Sequence, residues 1–277
     1  MITSSSNGRV KQLVQWQKKR KARDEDGVFL VEGIRMFVEA PEERVREVYV
    51  SESFYNKKKA ELDLDRWGRK LEILADPVFA HVSDTKTPQG VLLVMEQMRY
   101  PLEKVTAGKV GTASGSEAAD AAAGEQSPLL MVLDNLQDPG NLGTILRAGE
   151  AAGVTGVIMS QDTVDVYNPK VIRSTMGSIY RMPFVYVENL PQVVEELNQS
   201  GIHTYAAHLK GKNSYEAEDY QKGTAFLIGN EGNGLRDEVA DAAEIYVKIP
   251  MCGEVESLNA AVASSVLMFE AARQRRQ

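Results

Sequence analysis

The chain has 277 residues, 43% of them hydrophobic and 26% charged, and a formal net charge of −7, as in a globular protein with room for one large domain or two ordinary ones. No apolar run approaches the roughly 20 residues of a membrane span and no apolar signal core opens the chain, so a cytoplasmic protein is expected. A single cysteine, Cys252, excludes a disulfide framework and a cysteine-cluster zinc site, and His81, His203 and His208 lack metal-ligand spacing, so metal-free chemistry is expected.

Basic residues come first. Arg9, Lys11, Lys18, Lys19, Arg20, Lys21 and Arg23 all precede the first acid, Asp24. The pattern reads as one basic helix over 10–23, and Lys18, Lys19, Arg20 and Lys21 are its candidate contacts to a nucleic-acid phosphate backbone, with a solvated helix face as the plainer reading. Strands follow at 28–31, 45–51, 72–74 and 90–95, alternating with helices at 33–40, 56–62 and 77–82, which indicates a small α/β domain over residues 1–100. Residues 101–127 are rich in Ala, Gly and Ser without an aromatic side chain, the composition of a flexible linker.

From 128 to 277 the alternation sharpens. Strands are expected at 129–133, 156–159, 183–187, 203–207, 225–228 and 245–249, with helices at 142–152, 169–176 and 190–200, and a final apolar helix after Asn259. This is an open, mainly parallel sheet, in which ligands sit beyond the carboxyl ends of strands. The region is acidic, with 12 Lys and Arg against 19 Asp and Glu; residues 1–100 hold 18 and 16.

Three strand-to-helix loops have an unusual composition. In "LDNLQDPGNLGTILRAGEAAG" (133–153), Asn141 and Arg147 follow Gly140 at a helix start, where backbone can approach a ligand and N–H groups lack partners. An ordinary turn whose arginine faces solvent is the alternative. In "FLIGNEGNGL" (226–235), three glycines bracket Glu231 directly after a buried strand, without the Gly-Lys-Ser/Thr of a phosphate loop or the spacing of a dinucleotide loop. In "IPMCGEVESLNAAVASSVLMFE" (249–270), Ser257 and Asn259 offer hydrogen bonds at a helix start, where Ser257 could also be an N-cap.

These three stretches resemble the motifs of the SpoU (TrmH-like) family of RNA ribose 2′-O-methyltransferases in the SPOUT superfamily. The resemblance spans 129–273 and includes "YNPKVIRSTMGSIYRMPF" (167–184), with Thr175 where many members have Ser. More weakly, "FLVEGIRMFVEA" (29–40) and "TPQGVLLV" (87–94) resemble the family's L30e-like substrate-binding domain. The resemblance implies a trefoil-knotted catalytic domain, a homodimer, and an S-adenosylmethionine pocket formed by backbone at Gly229, Ile249 and Leu258. It also implies a catalytic set of Arg147, Asn141, Glu231, Ser257 and Asn259. Arg147 would activate the ribose hydroxyl, as a base or by stabilising developing alkoxide charge. Asn141 and Glu231 would orient Arg147 or the ribose, and Ser257 and Asn259 would position the nucleotide or stiffen the loop. Ribosomal RNA is the expected substrate, with transfer RNA, a non-catalytic RNA-binding module, and a nicotinamide-dependent oxidoreductase as alternatives. The last lacks its glycine fingerprint.

Overall fold

The computed structural model describes residues 1–108 and 127–276. Its first elements are α1 (Gly8–Lys18), α2 (Arg20–Asp26), β1 (Val28–Glu32), α3 (Ile34–Glu39), β2 (Val45–Ser51), α4 (Glu52–Lys58), β3 (Leu71–Leu74), α5 (Asp76–Val82), β4 (Val91–Glu96) and α6 (Leu102–Thr106). Then come β5 (Leu129–Leu133), α7 (Pro139–Ala152), β6 (Gly156–Ser160), α8 (Pro169–Thr175), β7 (Phe184–Val187), α9 (Leu190–Gln199), β8 (His203–Ala207), β9 (Asn213–Ser214), β10 (Thr224–Ile228), α10 (Asp237–Asp241), β11 (Ile245–Lys248) and α11 (Ala260–Arg275). Among the described residues, no helix is long and apolar enough to cross a membrane.

Two compact units result. The first comprises Met1–Met98 together with Asp165–Tyr180. Its sheet has the order β1-β4-β2-β3, with β4 antiparallel to both neighbours and β3 parallel to β2. Val10, Leu13 and Trp16 recur at helical spacing on α1 and pack with Val78, Phe79 and Val82 of α5 over Val28, Leu30, Leu92 and Val94.

The single basic helix expected over 10–23 is instead two. Lys19 adopts extended angles (φ −122, ψ 114) between α1 and α2. Arg23 leaves the solvated face altogether and is 3% exposed. Its guanidinium donates to the carbonyls of Trp16 (2.6 Å) and Gln17 (3.3 Å), which end α1, and pairs with Asp165. Lys18, Lys19, Arg20 and Lys21 are exposed. The helix expected at 56–62 starts earlier, at Glu52, because the Ser51 hydroxyl caps it by accepting from the N–H of Phe54 at 3.2 Å.

The second unit comprises Arg99–Val164 and Arg181–Gln277. Its seven strands run in the order β7-β6-β5-β10-β8-β11-β9, and every neighbouring pair is parallel. β5, β6 and β10 are buried along their whole length, the reason their sequences read as unbroken apolar runs. The chain runs outward from β5 through β6 to β7, then returns to β8 on the other side, and β10 fills the gap. The β5/β10 boundary is therefore the switch point at which such sheets open a crevice. Within the expected linker, Leu102–Thr106 is helical and Val105 is buried; a Cβ at Gly156 would lie 2.5 Å from the Val105 carbonyl oxygen. The remainder of that expectation, 109–126, lies outside the described residues.

Candidate active site

Loops leaving β5, β10 and β11 carry the polar residues. After β10, Gly229 packs so tightly that a Cβ would lie 2.1 Å from the carbonyl carbon of Gly234 and from the nitrogen of Leu235. Only glycine fits. Asn230 and Gly234 exchange two backbone hydrogen bonds of 2.9 Å. The Asn230 side-chain oxygen fills the turn by accepting from the N–H groups of Gly232 (2.9 Å) and Asn233 (3.1 Å).

Two side chains tether this loop to the one after β5. The Asn230 amide donates to the Asn135 carbonyl at 2.9 Å, and Asn135 itself has φ +54, a left-handed turn that asparagine tolerates. The Glu231 carboxylate accepts from the N–H groups of Gln137 (3.0 Å) and Asp138 (2.8 Å) and from the Asn141 amide (3.0 Å). Burial alone raises the Glu231 carboxyl, but the hydrogen bonds from Asn141, Gln137 and Asp138 outweigh it and hold the group below its ordinary range.

Asn141 sits in the first turn of α7. Asp138 caps that helix by accepting from the Asn141 N–H at 2.9 Å and Pro139 occupies its first turn, so α7 begins three residues before the expected Leu142. The Asn141 side-chain oxygen accepts from the Asn259 amide at 2.9 Å. Asn259 in turn caps α11, accepting from the N–H groups of Ala261 (2.9 Å) and Val262 (3.3 Å). Glu231, Asn141 and Asn259 thus form one hydrogen-bonded chain joining all three loops. Asn259, not Ser257, is the N-cap, and the Ser257 side chain makes no hydrogen bond among the described residues.

A cavity of about 310 Å³ opens beside this chain. Gly229, Ile249 and Leu258, the three expected cofactor contacts, all line it, as do Glu231, Glu256, Ser257 and the whole turn Gly229–Leu235. Its remaining wall includes His208, Leu209, Lys248 and Met251. Arg147 is not among the lining residues; it is exposed on α7 and has no hydrogen bond or ion pair among the described residues. Lys18, Lys19, Arg20 and Lys21 belong to the other unit.

Sequence reasoning marks Asp134 as one of the polar residues of the first loop but misses its partner, Arg236. Asp134, 0% exposed, directly follows β5, and its carboxylate is met by the guanidinium and backbone N–H of Arg236, which ends the β10 loop. An acid immediately after an all-apolar strand signals a required partner, but nothing in the sequence names a residue 102 positions away.

The model of the SpoU rRNA Methylase family matches residues 128–269, and the model of the MRM3-like substrate binding domain matches residues 7–93. A 23S rRNA (guanosine(2553)-2′-O)-methyltransferase, RlmP of Bacillus subtilis, is 32% identical over 273 residues, 97% of each chain. An AdoMet-bound rRNA methyltransferase from Sinorhizobium meliloti superposes with a TM-score of 0.81 at 28% identity, covering 98% of this chain and 97% of that one. The SpoU methyltransferase AviRb of Streptomyces viridochromogenes superposes at 0.80 and 29% identity, covering 98% of each.

Proposed function

The chain belongs to the SpoU rRNA methylase family, and from that premise we propose that it transfers a methyl group from S-adenosylmethionine to a ribose 2′-hydroxyl of ribosomal RNA. The observation that carries this reading is the cavity in which Gly229, Ile249, Leu258, Glu231 and Ser257 converge. Its 310 Å³ lies at the lower end of the roughly 300–1,000 Å³ of ligand pockets. Its glycine turn presents backbone rather than side chains, and the negative charges of Glu231 and Glu256 on its wall attract a sulfonium through space. Bound there, the cofactor supplies an electrophilic methyl carbon.

The protein's own tasks are then alignment and activation. Alignment needs the ribose oxygen, methyl carbon and sulfur in line, with the reacting atoms ~3–3.5 Å apart. The chain Glu231–Asn141–Asn259 holds the three loops to one geometry, and Ser257, which lines the cavity, is the residue assigned to meet the nucleotide. Activation falls to Arg147. A guanidinium keeps its proton, so Arg147 would lower the barrier by stabilising the developing alkoxide charge, with the hydroxyl proton passing to solvent water and the thioether S-adenosylhomocysteine leaving as the methyl carbon exchanges sulfur for oxygen. A two-fold homodimer belongs to the same proposal, because α11, which packs against α7 and so beside the helix of Arg147, leaves Val262 49% and Phe269 44% exposed. So do the trefoil knot of residues 128–277, an L30e-like substrate-binding domain over 1–100 with its basic Lys18–Lys21 arm, and action in the cytoplasm, where ribosomal RNA is modified.

The test is single-turnover methyl transfer to unmodified ribosomal RNA. The native chain transfers labelled methyl, whereas Arg147→Ala binds S-adenosylmethionine with nearly native affinity and transfers none. Native-like transfer by Arg147→Ala at saturating RNA removes the residue from the reaction; no cofactor binding by the native chain removes the reading altogether.

A further inference from the structure

The turn Gly229–Leu235, which forms one wall of the cavity, is fastened at three places. Asn230 and Glu231 hold its near side to the loop after β5, and Arg236 holds its far end. The third fastening differs in kind. Asp134 is wholly buried, and an unpaired buried carboxylate is expensive. One oxygen accepts from the Arg236 backbone N–H at 2.9 Å; the other accepts from Nε at 2.8 Å and from Nη2. Arg236 Nη1 reaches a second carboxylate, Asp162, at 3.4 Å, and that carboxylate accepts from the Ser160 hydroxyl at 2.5 Å. One guanidinium therefore ties the end of the β10 loop to residues following both β5 and β6.

Such a pair contributes little stability compared with apolar side chains of the same volume. What it supplies is direction, because the planar fork of an arginine and the two oxygens of a carboxylate fit in few orientations. With its backbone N–H also engaged, Arg236 fixes main chain as well as side chain, one residue beyond the cavity wall. Hydrogen bonding and charge from Asp134 push the Arg236 guanidinium above its ordinary value, as a firmly held partner should. Although 42% of its side chain is exposed beside the cavity wall, the cation is committed to carboxylates and is not a free phosphate contact.

We propose that Arg236 is a positioning residue for the cofactor: through Asp134 it sets the Gly229–Leu235 turn in its binding conformation before the ligand arrives. The inference rests on the assignment of this cavity to S-adenosylmethionine. Because neither Asp134 nor Arg236 lines the cavity itself, loss of the pair should appear in cofactor binding and not in the chemical step.

The experiment compares native chain, Arg236→Ala, Arg236→Gln and Arg236→Lys by calorimetric titration with S-adenosylmethionine and by steady-state methylation with the cofactor varied. Arg236→Ala should weaken binding and raise the cofactor KM by roughly tenfold to a hundredfold, the scale of a misplaced binding element, with kcat at saturating cofactor within about threefold of native. Arg236→Lys restores the charge without the fork and should recover part of the affinity. Native affinity in folded Arg236→Ala overturns the proposal, as does a loss confined to kcat. If the alanine variant does not fold, Arg236→Gln keeps one hydrogen bond to Asp134 without the charge, and unchanged affinity there overturns it equally. A native chain that fails to bind S-adenosylmethionine defeats the cavity assignment itself and this inference with it, a result distinct from a native chain and variants that bind alike.

Discussion

Gly229 and Glu231 act by different means two residues apart. At Gly229 any Cβ overlaps the main chain of Gly234 and Leu235 at 2.1 Å, so Gly229→Ala must push the turn open. Cofactor affinity should fall by at least about tenfold, measured by titration; native affinity there would mean that the turn does not contact the ligand. Glu231 acts through its charge, accepting two backbone N–H groups and an amide. Because its folded-state value lies below its ordinary 4.5, the stabilisation it gives is fully present above that value and is lost as the pH falls through the lowered one. Glu231→Gln cannot accept all three bonds and should cost about 0.5–1.5 kcal/mol at neutral pH, modest because water reaches the site. The stability gap between native and variant, read from urea unfolding, should narrow as the pH drops from about 5 toward 3. A gap independent of pH contradicts the assigned role. The glycines and Glu231 were legible in the sequence because so many conformationally special residues in one loop need a reason. That Glu231 would grip the backbone of Gln137 and Asp138, and that Asp134 would need Arg236, depends on strand order, which no local pattern encodes.

At the scale of elements, buried strands were the easiest to read and helix starts the hardest. β5 and β10 are apolar throughout and sit where their runs place them. α7 begins at Pro139 because a capping aspartate and a first-turn proline extend it beyond its apolar periodicity. α1 and α2 divide at Lys19, which neither charge nor periodicity marks, and Arg23 turns inward to the carbonyls of the broken end. The two-residue β9 and the five-residue α10 are too short to carry a period. The start of α11 matters most for function, since Asn259 takes the cap and leaves Ser257 free. Its two duties can be separated. Asn259→Asp keeps the capping oxygen but loses the amide donated to Asn141, whereas Asn259→Ala loses both. The aspartate variant should melt within about 3 °C of native, retaining a cap worth ~1 kcal/mol, yet methylate several-fold more slowly. Equal activity in native and Asn259→Asp would show that the link between loops is dispensable.

Across the whole molecule, the acidic net charge conceals an exposed basic cluster. Lys18 and Lys19 make no side-chain ion pair among the described residues, whereas Arg20 and Lys21 face Asp24 and Glu25 at 3.4 and 3.7 Å. Neutralising all four should flatten the salt dependence of RNA binding by about 0.7–0.9 log units for each phosphate that the arm no longer neutralises, with Lys18 and Lys19 accounting for most of it. An unchanged slope would return the cluster to the role of a solvated surface. Assembly is tested on α11: Phe269→Glu should convert a sedimenting dimer to monomer, and a native chain that sediments as monomer at micromolar concentration contradicts the two-fold arrangement. These tests concern surface charge and assembly; the claim on which everything else depends is what happens in the cavity. That claim is tested most directly by incubating the protein with unmodified ribosomal RNA and methyl-labelled S-adenosylmethionine, then hydrolysing the product in alkali. A methylated 2′-oxygen blocks cleavage at the adjacent phosphate, so the label should be recovered in alkali-resistant dinucleotides and on the ribose. Label recovered on a base in ordinary mononucleotides, or no transfer at all, would contradict the assignment.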